Sequence, residues 1–363
     1  MAARAEPEAL AAKDEGNLIV DLGPHLETFV ARLFRIEAES DDLARRTHAL
    51  APLYAVKRLF VQRRAAKQVK PEALAGFEPA SMDALLGKGW TERGFADAVT
   101  AWEKDAAANA AALDTALRYA AWALTTDEGK SRHKAGVLFK QPHKFDPLDC
   151  IPMETVEIDG VRMRRLPEHD WRPRDGFALT DPGMDLEKAL DQTNYCIWCH
   201  AQGKDSCSKG LKDRKTGAFQ KSTFGVNLAG CPLEEKISEM HALKSNGFAL
   251  GAFATILVDN PMVAATGHRI CNDCMKACIY QKQEPVDIPQ AETRILKDVL
   301  ALPWGFEIYS LLTRWNPLNF RRPLPRPDTG RKVLVVGLGP AGYSLAHHLM
   351  NDYDCTLTSS DKH

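Results

Sequence analysis

The sequence lacks the features of membrane, secreted and nucleic-acid-binding proteins. Its longest apolar run is LGAFATILV at 250–258, less than half of the roughly 20 residues that a bilayer-spanning helix needs. The N-terminal stretch MAARAEPEALAAKDEGN has no apolar segment of the kind found in signal peptides. A basic excess is also missing, since 47 Lys and Arg face 48 Asp and Glu, whereas nucleic-acid-binding domains are usually basic. We therefore expect a cytoplasmic protein that binds neither membrane nor nucleic acid.

The composition does suit packed cores, and it includes an unusual set of cysteines. Hydrophobic residues make up 45% and charged residues 26% of the 363 residues, which is enough for two or three globular domains. Nine cysteines are present. Because cytoplasmic thiols stay reduced, a disulfide framework is disfavoured and metal binding is the alternative to weigh.

Apolar residues recur at helical spacing through the first 130 residues. Together with the Ala- and Leu-rich stretch AAANAAALDTALRYAAWAL, they predict a helical N-terminal region over 1–130. The repeats are Leu53, Val56 and Phe60; Phe95, Val99 and Trp102; and Leu113, Leu117 and Leu124. A connecting region over 131–182 contains METVEIDGVRMRRL, in which an Asp-Gly pair between two extended runs predicts a β-hairpin.

Two further helices are predicted in the cysteine-containing part of the chain. Pro232 is placed to open a helix that Gly247 ends, with Ile237, Met240 and Leu243 facing inward. The stretch PWGFEIYSLLTRW at 303–315 predicts a second buried helix. We expect a helical domain over 183–315 and a Pro- and Arg-rich linker over 316–331.

Seven cysteines lie between positions 196 and 278, and they include two CxxC pairs. In order they are Cys196, Cys199, Cys207, Cys231 (followed by Pro232), Cys271, Cys274 and Cys278. One zinc ion could take the four cysteines of the CxxC pairs, Cys196, Cys199, Cys271 and Cys274, but three cysteines would then have no role. A ferredoxin-like arrangement uses all seven, because there the cysteine before proline binds the other cluster. Two [4Fe-4S] clusters need eight ligands, so this interpretation requires an eighth ligand of another type.

The order of motifs resembles the N-terminal iron–sulfur domain shared by the glutamate synthase small subunit and dihydropyrimidine dehydrogenase. The matching stretches are YCIWC, GCPLEEKI, DNPMVAATGHRICNDCMKAC, EPVDIPQAETRIL and KVLVVGLGPAG, within roughly 190–350. The resemblance implies a helical domain with two [4Fe-4S] clusters, followed by an FAD-binding domain. It does not extend to the first 180 residues.

The resemblance also implies which residues are ligands. Cys196, Cys199 and Cys207 would share one cluster with Cys278. Cys231, Cys271 and Cys274 would bind the other, whose fourth ligand would be Glu292, with Gln290 as a weaker candidate. One departure from the family is the insert SKGLKDRKTGAFQKSTFGVNLAG between Cys207 and Cys231, which we expect to form a surface loop. His200 is a possible substitute for Cys207.

A glycine motif follows the linker. VLVVGLGPAG places Gly337, Gly339, Pro340, Ala341 and Gly342 between an apolar strand and a helix, which is typical of dinucleotide-binding turns. The nearest acid after the second strand is Asp361. Residues 332–363 provide one β-α-β of such a fold, so we expect an incomplete Rossmann-like unit that does not retain FAD.

The sequence thus predicts a mainly α protein that transfers electrons between flavin and a redox partner subunit or domain through two [4Fe-4S] clusters. In the complete relatives, NADH or NADPH would reduce the FAD. No residue is a candidate for acid, base or nucleophilic catalysis. Two alternatives stay open: a zinc-binding interaction module of a larger assembly, and an inactive truncated product.

Overall fold

The protein is mainly α-helical. The computed structural model describes residues 2–144, 146–179, 181–267, 270–322, 324, 327–352 and 356–360, and about 55% of the chain is helical. In chain order, the helices and strands are α1 (Ala2–Ala5), α2 (Ala12–Phe34), α3 (Glu37–His48), α4 (Ala51–Val56), α5 (Ala66–Gln68), α6 (Ala80–Leu86), α7 (Glu92–Glu103), α8 (Ala110–Thr125), α9 (Asp127–Arg132), β1 (Glu154–Ile158), β2 (Val161–Arg165), α10 (Leu186–Tyr195), α11 (Ser206–Lys209), α12 (Ile237–Ser245), α13 (Ala249–Asp259), α14 (Val263–Thr266), α15 (Asp273–Ala277), α16 (Ile288–Leu300), α17 (Gly305–Arg314), β3 (Lys332–Val336), α18 (Pro340–Asp352) and β4 (Thr356–Ser360). Short 3-10 helices lie at Pro7–Ala9, Pro71–Leu74, Glu168–Asp170 and Cys199–Gln202. None of these helices combines the length and the hydropathy needed to cross a bilayer.

The first core joins the N-terminus of the chain to the region that contains the cysteines. Helices α2 and α3 pack with α12, α13, α16 and α17 around buried apolar side chains. A Cβ atom on Gly251 would lie 2.9 Å from the carbonyl oxygen of Gly23, so glycine at position 251 allows α2 and α13 to touch at the backbone. The contact is reinforced by Glu27, which accepts a 2.9 Å hydrogen bond from the Gly251 N–H.

The second core is formed by residues 53–139 and is rich in aromatic side chains. Phe60, Phe95 and Tyr119 are buried there, and Phe95 packs edge-on against Phe139 with ring centroids 5.1 Å apart. Of the residues that recur at helical spacing, Leu53, Val56, Phe60, Phe95, Val99 and Leu113 are buried, whereas Trp102, Leu117 and Leu124 are only partly buried. One local difference is that Lys57–Ala65, directly after α4, is a π-helix rather than an α-helix. Helix α10 contributes Leu190 to this core and also packs on α12 and α16.

The predicted β-hairpin is confirmed. Strands β1 and β2 pair antiparallel, with Ile158 opposite Val161. Asp159 and Gly160 both have positive φ, at 52° and 75°, as the tight turn of a two-residue hairpin requires.

Helix α12 begins later than predicted. Its first residue is Ile237 rather than Pro232, because the chain turns at Glu234, which has a φ of 53° and donates its N–H to the Cys231 carbonyl. Its predicted end is confirmed, since α12 stops at Ser245 and Gly247 has a φ of 88°. More residues of α12 are buried than the three that were predicted to face inward, since every residue from Ile237 to Lys244 is buried.

The predicted helix at 303–315 corresponds to α17. Ile308 and Leu312 face the first core, but Phe306 is 70% exposed. The helix therefore lies at the edge of the core and is buried on one side only.

The C-terminal residues form two parallel strands joined by α18. Strand β3 pairs with β4 in register from Lys332 opposite Thr356. This short unit is poorly packed, since the side chains of Leu334, Val336 and Leu345 are 61%, 74% and 52% exposed. The hydroxyl of Tyr343 donates a 3.0 Å hydrogen bond to the carbonyl of Ala265.

Candidate metal centre

Four cysteines line one pocket, and we call them the first cysteine group. Cys196 ends α10, Cys199 begins a 3-10 helix, Cys207 lies in α11 and Cys278 directly follows α15. The apolar part of the pocket wall is formed mainly by five aliphatic side chains, Ile197, Ile237, Ile279, Val286 and Ile288. Cysteines that are 82 residues apart along the chain (196 to 278) therefore face a common, largely apolar space.

Three of the four thiols of this group, those of Cys196, Cys199 and Cys207, are held in their neutral form by their surroundings. Burial raises the pKa of Cys196 to about 12 and that of Cys199 to about 11. The thiols of Cys207 and Cys278 are hydrogen-bonded to each other, which raises the pKa of Cys207 and lowers that of Cys278. Binding of a metal centre would have to release these protons, because the thiolate is the ligand.

Three cysteines and two carboxylates form a second group, at Cys231, Cys271, Cys274, Glu235 and Glu292. The charges of Cys231, Glu235 and Glu292 all act to raise the pKa of Cys274, although burial is the larger cause. Burial also raises the pKa of Cys231, and the charge of Cys271 adds to this effect.

The two carboxylates of the second group are buried and share one amide. Asn260 Nδ2 donates a 3.2 Å hydrogen bond to Glu292 Oε1, and the Asn260 side chain also bonds to Glu235. Burial raises the pKa of Glu235 to about 7. Burial, followed by repulsion from Glu235, raises the pKa of Glu292. Two carboxylates this close favour a cationic ligand between or beside them.

Backbone N–H groups point at the sulfur atoms in both groups. The N–H of Trp198 lies 3.5 Å from Cys196 Sγ, and that of Asp273 lies 3.4 Å from Cys271 Sγ. Further backbone N–H bonds, which lower the thiol pKa, reach Cys231, Cys274 and Cys278. Such bonds stabilise negative charge on sulfur, as thiolate ligands of iron–sulfur clusters require.

The other ligand candidates are engaged elsewhere. Gln290 Oε1 accepts a 3.1 Å hydrogen bond from the backbone N–H of Met184, away from the second group. His200 Nδ1 is hydrogen-bonded to Ser238 Oγ. The four-cysteine zinc site is not assembled either, because the structure places the two CxxC pairs in different groups.

Glu235 and His241 were missed by the sequence reasoning. Glu235 looked like an ordinary acid of a helical first turn, but α12 begins only at Ile237. His241 lies beside the predicted apolar stripe of α12 and lines the pocket of the first group. The helix is buried on all sides, which its amphipathic sequence does not indicate.

Both groups provide donors that suit iron–sulfur clusters, and the pocket of the first group is narrow. No set of three or more His, Cys, Asp and Glu side chains in the described part of the chain is arranged to hold a metal ion. The pocket that the first group lines has a volume of about 10 Å³, near the minimum for one water molecule. Four thiols, or three thiols and a carboxylate, fit the donor chemistry of a cluster, and the side chains would have to move apart to hold one.

The glycine motif forms a tight turn between β3 and α18. Gly337 has a φ of 91°, and a Cβ atom on Gly342 would lie only 1.9 Å from the Gly337 carbonyl oxygen, so position 342 requires glycine. Pro340 and Ala341 open α18, and Gly339 faces open space. Asp361 lies outside the described residues.

Comparison with known proteins identifies the family of the chain. A family described as "RP005 N-terminal alpha-helical domain" matches residues 1–35. Uncharacterized protein RP005 of Rickettsia prowazekii is 30% identical over 252 residues, which cover 67% of this chain and 84% of that protein. The chain belongs to the RP005 family.

Two other similarities of this RP005-family chain cover shorter stretches. Uncharacterized protein RP006 of Rickettsia prowazekii is 66% identical over 89 residues, 24% of this chain and 13% of RP006. The glutamate synthase [NADPH] small chain of Mycobacterium tuberculosis is 33% identical over 121 residues, 33% of this chain and 22% of the small chain. The chain thus spans about an eighth of RP006 and about a fifth of the small chain. This last similarity indicates a region related to part of the glutamate synthase small chain. No solved structure matches the chain significantly.

Proposed function

We propose that this RP005-family chain is an electron-transfer protein that holds two [4Fe-4S] clusters and exchanges electrons between a flavin and a redox partner. The observation that carries this proposal is the division of seven cysteines into two groups, one with four thiols and one with three thiols and Glu292. The similarity to the glutamate synthase small chain supports the same function.

The proposed ligands of the first cluster are Cys196, Cys199, Cys207 and Cys278, and those of the second are Cys231, Cys271, Cys274 and Glu292. When bound, such clusters supply one-electron transfer at a potential that the protein sets. The aliphatic side chains of the first pocket would limit the access of water to the sulfur atoms. In the second group, the amide of Asn260 orients the Glu292 carboxylate.

A basic cleft reaches the first cysteine group and is the proposed approach for a redox partner. The cleft has a volume of about 710 Å³ and lies between the π-helix and α10. Its lining includes Cys196 and a stacked pair of rings, Tyr195 and Tyr280, whose centroids are 4.6 Å apart. Five cations line the cleft: Lys57, Arg58, Arg63, Lys140 and Lys188. Lys57 is paired with Asp191 at 2.6 Å, whereas Arg58, Arg63 and Lys140 are exposed, so an acidic partner is favoured.

The proposed flavin site is the turn between β3 and α18. Its glycines would let the backbone approach a pyrophosphate, and the first N–H groups of α18 would face the anion. The exposed side chains of Leu334 and Val336 show that one face of this two-stranded sheet is uncovered, whereas parallel sheets are normally covered on both faces. We therefore propose that the unit contributes part of a dinucleotide site and does not retain FAD by itself.

Iron and sulfide analysis tests the proposal directly. Protein prepared without oxygen is expected to contain about eight irons and eight sulfides per chain, with broad absorbance and an EPR signal after reduction. A Cys150→Ser variant is the control, because Cys150 is exposed and outside both groups. Stoichiometric zinc with no iron would reject the proposal and favour the interaction-module alternative.

A further inference from the structure

Helix α12 runs through the first core and buries four polar side chains. Two of them have polar partners: Ser238 bonds to His200, and Lys244 Nζ lies 2.6 Å from Asp298 Oδ2. The third, Glu239, bonds through its own backbone, but its Oε2 has no partner among the described residues. The fourth is His241, one helical turn after Ile237. It lies on the side of α12 that faces the first cysteine group.

The His241 ring is fully buried and has no hydrogen-bond partner among the described residues. Its exposed fraction is 0%, and both Nδ1 and Nε2 lack a partner there. Leaving a buried polar group unpaired is costly, and nearly all such groups in folded proteins are paired. An imidazole with two unpaired nitrogens inside a core therefore indicates a partner that binds in the adjoining space.

The adjoining space is the pocket of the first cysteine group. Apart from His241, its lining consists of the four cysteines, Tyr280 and five aliphatic side chains: Ile197, Ile237, Ile279, Val286 and Ile288. Aliphatic side chains cannot accept a hydrogen bond. The acceptors that this pocket offers to the ring are the sulfur atoms and the hydroxyl of Tyr280. Sulfur that carries negative charge is the stronger acceptor of the two, because hydrogen bonds to ionised groups are stronger than those to neutral groups.

We propose that His241 donates a ring N–H to sulfur of the cluster held by Cys196, Cys199, Cys207 and Cys278, and thereby raises its reduction potential. This inference rests on the proposed function, since it needs a cluster in the first group. His241 acts as a positioning residue and not as a ligand. The donor raises the potential because reduction adds negative charge to the sulfur atoms, and a hydrogen bond stabilises that charge. The second group, which lies against two buried carboxylates, has no comparable neutral donor ring in the described structure.

Redox titration of single variants tests the role. His241→Leu removes both nitrogens at similar volume and is expected to shift one cluster to lower potential. The shift corresponds to roughly a tenfold change in the ratio of oxidised to reduced cluster, about 59 mV for a one-electron couple.

Two further variants identify the donating nitrogen. His241→Asn keeps a donor near the position of Nδ1, and His241→Gln keeps one near the position of Nε2, so the variant that restores the potential shows which nitrogen donates. Met240→Leu, at the adjacent buried position, is the matched control and should leave both potentials unchanged.

The outcomes separate this inference from the proposed function. If wild-type protein carries no iron, the proposed function and the inference both fail. If both clusters are present and His241→Leu leaves both potentials unchanged, the inference fails and the proposed function stands.

Pulsed EPR of reduced wild-type protein with ¹⁵N-labelled histidine keeps the test decisive if His241→Leu does not fold. The hydrogen bond is supported by a weak coupling between the cluster and a histidine ¹⁵N in wild-type protein. This coupling should be lost in the folded variant, His241→Asn or His241→Gln, that does not restore the potential. Absence of any coupling, or a strong coupling typical of a coordinated nitrogen, would overturn it.

Discussion

The backbone N–H of Cys231 donates a 2.8 Å hydrogen bond to the carbonyl oxygen of Cys207, although residues 208–230 separate them. These residues form the insert, and its two ends lie side by side. The N–H of Leu211 also donates a 2.9 Å hydrogen bond to the carbonyl of Leu228 there. Beyond this base the chain is largely exposed, as the sequence predicted for a surface loop. The long insert therefore does not separate the two cysteine groups, and Cys207 stays beside Cys278.

The close approach at the base of the insert depends on glycine. A Cβ atom on Gly230 would lie 2.5 Å from the Gly210 nitrogen and 2.9 Å from the Cys207 carbonyl oxygen. We expect Gly230→Ala to lower the unfolding midpoint and the iron content of the first group, because the two chain segments must separate. The matched control is Gly225→Ala, which has a similar positive φ, 77° against 84°, but no atom within 4 Å of the added Cβ. In both variants the alanine must adopt the left-handed backbone conformation, which costs about 1 kcal/mol of stability. Equal losses in the two variants would show that the close approach has no role.

Cys231 is assigned to the second group although its backbone is bonded to Cys207. We expect Cys231→Ala to lose about half of the iron, because the second cluster loses a ligand while the four thiols of the first group remain. Iron analysis and EPR of the reduced variant measure this outcome, with Cys150→Ala as the control. Survival of both EPR signals would remove Cys231 from the ligand set and contradict the proposed division.

A carboxylate in the second core makes stability depend on pH. Glu92 Oε2 accepts 2.7 Å hydrogen bonds from the N–H groups of Val137 and Leu138, and its Oε1 lies 3.2 Å from His133 Nδ1. Burial acts to raise the pKa of Glu92, but these bonds together outweigh it, so the pKa lies below its ordinary value of 4.5. The resulting stabilisation is fully present above pH 4.5 and is lost as the pH falls through the lower folded-state pKa.

Replacing the carboxylate by an amide tests this dependence. We expect Glu92→Gln to lower the free energy of unfolding by roughly 1.5–3 kcal/mol at pH 7, the usual range for hydrogen bonds to a charged group. The difference from wild type should shrink toward pH 3. Urea unfolding followed by tryptophan fluorescence measures it, since Trp90 packs against His133. Asp97→Asn, in an exposed pair with Arg93 at 3.9 Å, should change little. An equal difference at both pH values would show that the charge of Glu92 is not the cause.

The basic cleft should govern electron exchange with anionic acceptors. We expect the double variant Arg58→Glu and Arg63→Glu to slow reoxidation of reduced protein by ferricyanide about tenfold at low salt, because the attraction of the cleft for anions is reversed. Reoxidation by an uncharged quinone should stay unchanged. Stopped-flow absorbance measures both rates. Arg118→Glu, an exposed site on α8 paired with Asp114, is the control. A uniform slowing with both acceptors would indicate damage to the metal centre instead.

Several features of this protein were determined by the sequence itself, because they depend on neighbours within a few residues. The β-hairpin is specified by Asp159 and Gly160, which tolerate the left-handed conformation of its turn. The end of α12 is specified in the same way by Gly247, and the buried faces of several N-terminal helices follow from the spacing of their apolar residues. The CxxC spacings likewise predict a metal centre without any tertiary information, and the bound metal itself stays a prediction.

Other features were decided only by the tertiary structure. Packing of α2 against α13 places the N-terminus in the same core as the cysteines, and no local pattern shows that Gly23 meets Gly251. The same packing buries α12 on every side, which turns His241 and Glu235 from apparent surface residues into neighbours of the cysteine groups. The physical reason is that contacts between distant segments depend on how whole helices pack. The spacing of residues within one segment reports only which face is apolar, not what that face will meet.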